Sequence, residues 1–193
     1  MLGLVLPTDP RWTDIATKNI HEILVDHAYC EQKAASSGIS IIVQYPEFKK
    51  LVEVLTAIVA EEWSHFERVL QELRKRGMSL GPQRKDEYVI KLYELIIQGG
   101  SREHQVVEKL LINALIEARS CERFRLLSKE ISDPGLSGFY HELMVSEAGH
   151  YKTFLSLAKE YMDPEVVEAR WRQILVEEAQ IVKHLEVRGD RMH

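Results

Sequence analysis

Two Glu-x-x-His tetrads stand out in this chain of 193 residues: Glu62-Trp63-Ser64-His65 and Glu147-Ala148-Gly149-His150. On a helix, residues three apart share a face, so each tetrad can offer a carboxylate and an imidazole to one metal ion. The spacing alone says little, because a single Glu-x-x-His pair is more often a solvated contact on a helix surface. Its surroundings say more. Val54, Leu55, Ile58, Val59, Phe66 and Val69 flank the first tetrad, and Phe139, Leu143, Met144, Phe154 and Leu155 flank the second. Glu31 precedes Glu62 by 31 residues, and Glu117 precedes Glu147 by 30. In two antiparallel helical hairpins, such offsets bring each pair to a similar height. Four carboxylates and two imidazoles then converge on one core. Burying that much negative charge without compensation is prohibitive, and two divalent or trivalent cations supply the compensation. Mixed Glu/His ligation inside a helix bundle suits iron or manganese better than zinc or calcium.

Neighbouring residues compete for some of these roles. Cys30-Glu31 and Cys121-Glu122 look alike locally, which makes Glu122 a rival to Glu117. Glu122 lies only 25 residues before Glu147 and among Arg119, Arg123 and Arg125, so it reads as an ion-pair or supporting residue and Glu117 as the ligand. Glu61 points about 100° away from Glu62 around the helix. His27 sits one turn before Glu31. It reads as a packed or exposed histidine, with support of Glu31 as the alternative. His21, His104, His141, His184 and His193 have no equivalent partners. The aromatic residues at helical spacing read as core.

Long helices must position these groups. The periodicity predicts helices over about 13–37, from Pro46 to Gly77, over 85–98, 102–131 and 134–162, and from Asp163-Pro164 to near Gly189. Pro46 suits a first helical turn, Gly77 a position just past a helix end, and Arg74-Lys75-Arg76 complement a helix dipole. The stretch SGISIIVQYP (37–46) is the only strand-like signal. Short loops join the first two long helices and the next two, and the connection over about 77–101 is long. The expected architecture is all-α: a four-helix bundle of two hairpins with a long crossover and an additional C-terminal helix, forming one domain over 1–193.

Composition agrees. The chain is 45% hydrophobic and 28% charged, which excludes a disordered polar chain. No apolar run is long enough to span a bilayer, the N-terminus lacks a secretory pattern, and two cysteines fit a reducing compartment, so a cytoplasmic protein without a membrane partner is expected. The net charge of −5 argues against nucleic-acid binding over the whole surface, though not at a local basic patch.

The strings DHAYCEQKAA (26–35), EEWSHFERVL (61–70), LLINALIEARSCERF (110–124) and FYHELMVSEAGHYKTFLSLA (139–158) resemble the tRNA 2-methylthio-N6-isopentenyl-adenosine hydroxylase family, a group of ferritin-like di-iron proteins. The resemblance covers roughly residues 3–190 and departs from the family at none of the six ligand positions. It implies two carboxylate-bridged iron ions held by Glu31, Glu62, His65, Glu117, Glu147 and His150, with O2 as co-substrate. The implied reaction is hydroxylation of the prenyl group on the modified adenosine beside a tRNA anticodon. An external electron donor, a ferredoxin or a reductase, is implied too, because the chain has no flavin motif and no Cys-rich cluster motif. The tRNA anticodon stem-loop would meet a local basic patch, for which Arg74, Lys75, Arg76, Arg84 and Lys85 are candidates. Arg119, Arg123 and Arg125 form a second cluster, and Arg188 and Arg191 add charge near the end. Helix capping accounts equally well for Arg74–Arg76. Another di-iron or di-manganese activity on the same bundle (peroxidase, catalase or iron handling) is the alternative, and a metal-free interaction module would leave six buried ionisable residues unexplained.

Overall fold

The computed structural model describes residues 2–193, and among them every regular element is a helix. The helices are α1 (Pro10–Lys18), α2 (Ile20–Gln44), α3 (Lys49–Lys75), α4 (Glu87–Tyr93), α5 (Arg102–Glu130), α6 (Pro134–Tyr161) and α7 (Pro164–His184). Helices α2 and α3 form one antiparallel hairpin, and α5 and α6 the other. Helix–helix contact is densest within each hairpin and sparser where α2 meets α5 and α3 meets α6. Residues 76–101 cross from one hairpin to the other and carry α4 on the way.

Local chemistry sets most of the helix ends. Asp133 caps α6 by accepting from the backbone N–H groups of Gly135 and Leu136 at 2.9 and 3.2 Å, with Pro134 in the first turn. Asp163 and Pro164 start α7 in the same way. Gly77 follows α3 with φ +67°, a conformation that favours glycine.

The first long helix differs from the expectation in register. A break at Asn19 separates α1 from α2, and α2 runs on through the strand-like stretch to Gln44. Packing decides this: Ile41 is buried, and a Cβ on Gly38 would meet Val59 at 2.5 Å, so α2 lies tight against α3 there. Burial of one helix face outweighs the β-preference of Ile39, Ile41, Ile42 and Val43. Pro46 lies in the loop, and α3 begins only at Lys49. Helix α4 is shorter than expected, and α7 ends at His184 rather than near Gly189.

The core divides into two apolar clusters along the bundle. One gathers Ile41, Leu51, Leu55, Leu110, Leu111, Phe154 and Leu157 near the α2–α3 loop. The other gathers Leu24, Ala28, Val69, Leu73, Phe124, Phe139 and Leu143 at the opposite end. On each of α2, α3, α5 and α6 the candidate metal-ligating residues fall between the two clusters. The candidate site is thus a polar girdle across the middle of the bundle.

Candidate metal centre

The structure brings all six predicted residues together. Glu31 comes from α2, Glu62 and His65 from α3, Glu117 from α5, and Glu147 and His150 from α6, and all six are buried. Their donor atoms form two sets of four, each with atoms within 4.8 Å of one another: Glu31, Glu62, His65 and Glu147, and Glu62, Glu117, Glu147 and His150. Glu62 and Glu147 belong to both sets. His65 Nδ1 lies 3.6 Å from Glu31, 3.7 Å from Glu62 and 3.4 Å from Glu147. His150 Nδ1 lies 2.7 Å from Glu62 and 3.3 Å from Glu147. The two imidazoles face each other with ring centroids 5.9 Å apart.

The electrostatics are those of an acid cluster short of cations. Among the described residues, the ion-pair partners of Glu31, Glu62 and Glu147 are all histidines. Burial pushes the Glu31 and Glu117 carboxyls well above the ordinary carboxylate range, and the charges of Glu62 and Glu147 push further. Burial also pulls the imidazoles down, but Glu147, Glu31 and Glu62 outweigh it at His65, which is pushed up to about 12. Glu147 and Glu62 do the same at His150, which reaches about 11. Glu147, despite its burial, is held well below the ordinary range by hydrogen bonds from His150 and His65, so protons on the imidazoles and on Glu31 and Glu117 stand in for other positive charge. Glu62 Oε1, Glu147 Oε1 and His65 Nδ1 are buried with no hydrogen-bond partner. Oxygen-rich donors, orphaned atoms aimed inward and two overlapping sets of four fit a pair of hard or borderline cations.

Two further residues support the cluster; the sequence reading held the first only as an alternative and missed the second. His27 is completely buried, and its Nε2 lies 2.6 Å from Glu31 Oε1. The ring is therefore packed rather than exposed, and it takes up the alternative role, support of Glu31. The i,i+4 spacing to Glu31 was the available signal, but spacing could not show that Phe124, Phe139 and Tyr140 would enclose the ring. Glu61 reaches His150 Nε2 from outside at 3.1 Å, leaving Nδ1 turned inward. A second carboxylate behind a ligating imidazole fixes its orientation and raises its basicity. Glu122 is elsewhere: it accepts from Arg119 at 2.5 Å and from the Thr8 hydroxyl at 2.5 Å, as its ion-pair reading requires.

Openings reach the cluster from two sides. A cavity of about 610 Å³ between α2, α4 and α5 is lined by Ser37, Tyr93, Asn113 and Ile116 and has Glu117 in its wall. A groove between α3 and α6 reaches Glu61 and His150.

The basic candidates fare unevenly. Arg74, Lys75 and Arg76 end α3, at the end of the bundle where α2 begins, and Arg84 pairs with Glu22 near the start of α2. Arg76 is committed to Glu72 and Asp133, Lys75 to Glu72, and Arg84 to Glu22, whereas Arg74 and Lys85 are exposed. Arg119 is fully buried, and Arg123 donates to the Met192 carbonyl and lies 4.5 Å over the Trp12 ring, so the Arg119–Arg125 cluster is not a surface patch. Arg188 and Arg191 both pair with Asp190. No helix among the described residues is long and apolar enough to cross a membrane.

Known proteins resemble this chain along its length. The family model described as tRNA-(MS[2]IO[6]A)-hydroxylase (MiaE) matches residues 3–193. A Pseudomonas putida protein named tRNA 2-(methylsulfanyl)-N(6)-isopentenyladenosine(37) hydroxylase is 38% identical over 160 residues, 81% of this chain and 75% of that one. A Salmonella typhimurium protein of the same name is 25% identical, over 91% of this chain and 82% of its own. Among solved structures, a Synechococcus protein with aldehyde deformylating oxygenase activity superposes with a TM-score of 0.92 at 32% identity, covering 98% of this chain and 94% of that one. The bundle is ferritin-like, as the resemblance implied. The length of the match and the identity to curated hydroxylases leave one assignment: the chain is an enzyme and belongs to the tRNA-(MS[2]IO[6]A)-hydroxylase (MiaE) family.

Proposed function

We propose that this chain, acting as one domain over 1–193, hydroxylates the isopentenyl group of 2-methylthio-N6-isopentenyladenosine next to the tRNA anticodon, using two iron ions and O2. The observation that carries this reading is the pair of four-residue donor sets sharing Glu62 and Glu147, reached by a cavity with Glu117 in its wall. In this reading Glu31 and His65 would help hold one iron and Glu117 and His150 the other, with Glu62 and Glu147, members of both donor sets, available to each. The names of the Pseudomonas putida and Salmonella typhimurium relatives support the substrate.

When bound, the irons supply the oxidising power needed to insert oxygen into an unactivated C–H bond, with electrons from an external ferredoxin or reductase. The chain's residues do the rest. Carboxylates on four separate helices hold a fixed spacing. His27 steadies Glu31, and Glu61 steadies His150. The apolar clusters above and below the girdle exclude water from the reacting centre. Ile116 and Tyr93 give the cavity apolar wall against which a prenyl chain packs, and its polar rim, with Lys33 and Lys109, suits the attached nucleoside. Backbone phosphates of the stem-loop would meet Arg74 and Lys85, with Lys75, Arg76 and Arg84 contributing charge through their ion pairs. The protein would act on tRNA in the cytoplasm.

Nucleoside analysis of tRNA from cells with and without the gene tests the proposal. Loss of the hydroxylated prenyl nucleoside, restored by the wild type and not by Glu62→Ala, is expected. Unchanged nucleosides, together with consumption of an aldehyde by the reduced protein, would favour the activity of the Synechococcus neighbour instead.

A further inference from the structure

Outside the carboxylate girdle, a second set of metal-type donors comes together from three distant parts of the chain. Cys30 lies on α2, Asp86 caps α4, and His193 belongs to the segment that follows α7. Their Sγ, carboxylate oxygen and ring nitrogen lie within 4.8 Å of one another. His193 Nδ1 is 3.8 Å from Cys30 Sγ and 3.9 Å from Asp86 Oδ2. The first is at the long end for a sulfur hydrogen bond, and the second is too long for a direct one. They are close to what a shared ion requires: zinc bonds of about 2.0–2.3 Å at tetrahedral angles put donor atoms about 3.3–3.6 Å apart.

We propose that Cys30, Asp86 and His193 form a separate binding site for a single zinc ion, which ties the segment after α7 to the bundle. The His193 imidazole is only 1% exposed, and the groups facing its Nδ1 are this thiol and this carboxylate. Its other nitrogen, Nε2, lies 3.0 Å from the Ser120 hydroxyl, and the ring stacks on Tyr88 with centroids 5.2 Å apart. A hydrogen bond from Nε2–H to that hydroxyl leaves the Nδ1 lone pair aimed between Cys30 and Asp86, the arrangement a ligating histidine requires. One sulfur, one nitrogen and one oxygen donor form a three-ligand zinc set, with the fourth position left to water from the adjoining 610 Å³ cavity, whose wall includes Cys30, Asp86 and His193. Lys33 Nζ now lies 3.4 Å from Asp86 Oδ2. Its side chain is 26% exposed, so it can swing into the cavity when the ion binds. As the sulfur–zinc bond forms, the Cys30 thiol releases its proton to water. The iron cluster contains no sulfur, so the two sites differ in donor chemistry and can be read separately.

Cobalt(II) titration of the full-length protein tests the site, because only a thiolate ligand produces a near-ultraviolet sulfur-to-cobalt charge-transfer band. The wild type is expected to develop this band, with the amplitude of one thiolate-bound cobalt per chain, and zinc should bleach it. Cys30→Ser and His193→Ala should lose the band while circular dichroism shows intact helices. Cys121→Ser should keep it, because Cys121 Sγ is buried against the Met144 carbonyl, away from the site. Glu62→Ala should also keep it, which separates this proposal from the iron reading. No band in the wild type, or a band that survives His193→Ala, would overturn the proposal. If Cys30→Ser does not fold, His193→Ala decides alone, since it removes a ligand that lies outside every helix.

Discussion

Arg119 and Glu62 are both buried charged residues in one bundle, and their charges are offset in opposite ways. Arg119 sits between two acids, 2.5 Å from Glu122 and 2.7 Å from Glu178, and also donates to the Leu6 carbonyl. Arg170 and Glu108 repeat the device at 2.8 Å. There the chain supplies its own cation. At Glu31, Glu62, Glu117 and Glu147 the described residues supply no Lys or Arg partner, only the imidazoles of His27, His65 and His150, and Glu62 Oε1 and Glu147 Oε1 stay without hydrogen bonds. Both arrangements put acids where water cannot reach. The difference is that one is offset by a cation of the chain itself, whereas in the proposed reading the other is offset by ions from outside, so one holds the fold while the other would do chemistry.

Removing a partner from each cluster should therefore have different consequences. The largest effect is expected at the open cluster. Glu62→Ala or His150→Ala should abolish hydroxylation and cut bound iron from two per chain to below one, measured by metal analysis, with helix content nearly unchanged. In the closed cluster, Arg119→Ala should leave Glu122 and Glu178 buried and unpaired, lowering stability by about 3–5 kcal/mol in urea unfolding while iron binding in the folded fraction persists. A milder break is His27→Phe, which preserves ring packing but removes the hydrogen bond to Glu31. Iron affinity should fall about 10–100-fold, read by competition with a chelator. Retained affinity would mean that Glu31 needs no orienting partner.

Acidity sharpens the comparison further. In the metal-free protein His65 and His150 are held at about 12 and 11, above the ordinary value of 6.5. The stability they contribute is full below pH 6.5 and is lost as the pH rises through 11 to 12. Glu31 and Glu117, with raised carboxyls, act in the same direction. His27 is held at about 3 by burial, so its contribution is present above 6.5 and is lost as the pH falls toward 3. Urea midpoints measured with chelator should fall on the alkaline side, whereas the iron-loaded protein should lack that slope because its imidazoles are already neutral. Equal alkaline slopes with and without iron would contradict the ligand roles of His65 and His150.

Much of this was readable before the fold was known. The two tetrads, the 31- and 30-residue offsets and the apolar flanks located all six converging residues, because helical periodicity and hairpin geometry are local rules. Arg119, Arg123 and Arg125 separated Glu122 from Glu117 for a sound local reason, and the Arg119–Glu122 contact agrees. The same local rules failed at the first helix. Ile39, Ile41, Ile42 and Val43 favour a strand on propensity, and only the close approach of α2 to α3 at Gly38 overrides it.

The sequence by itself determined the helices, their hairpin pairing and the residues whose burial demands compensating charge, because these follow from spacing along one chain. Tertiary structure alone decided which carboxylates lie in both donor sets, that Glu61 backs His150 and His27 backs Glu31, and that Cys30, Asp86 and His193 meet. Those outcomes depend on distances between side chains from separate helices and segments, and such distances are fixed only once the apolar clusters on either side have packed.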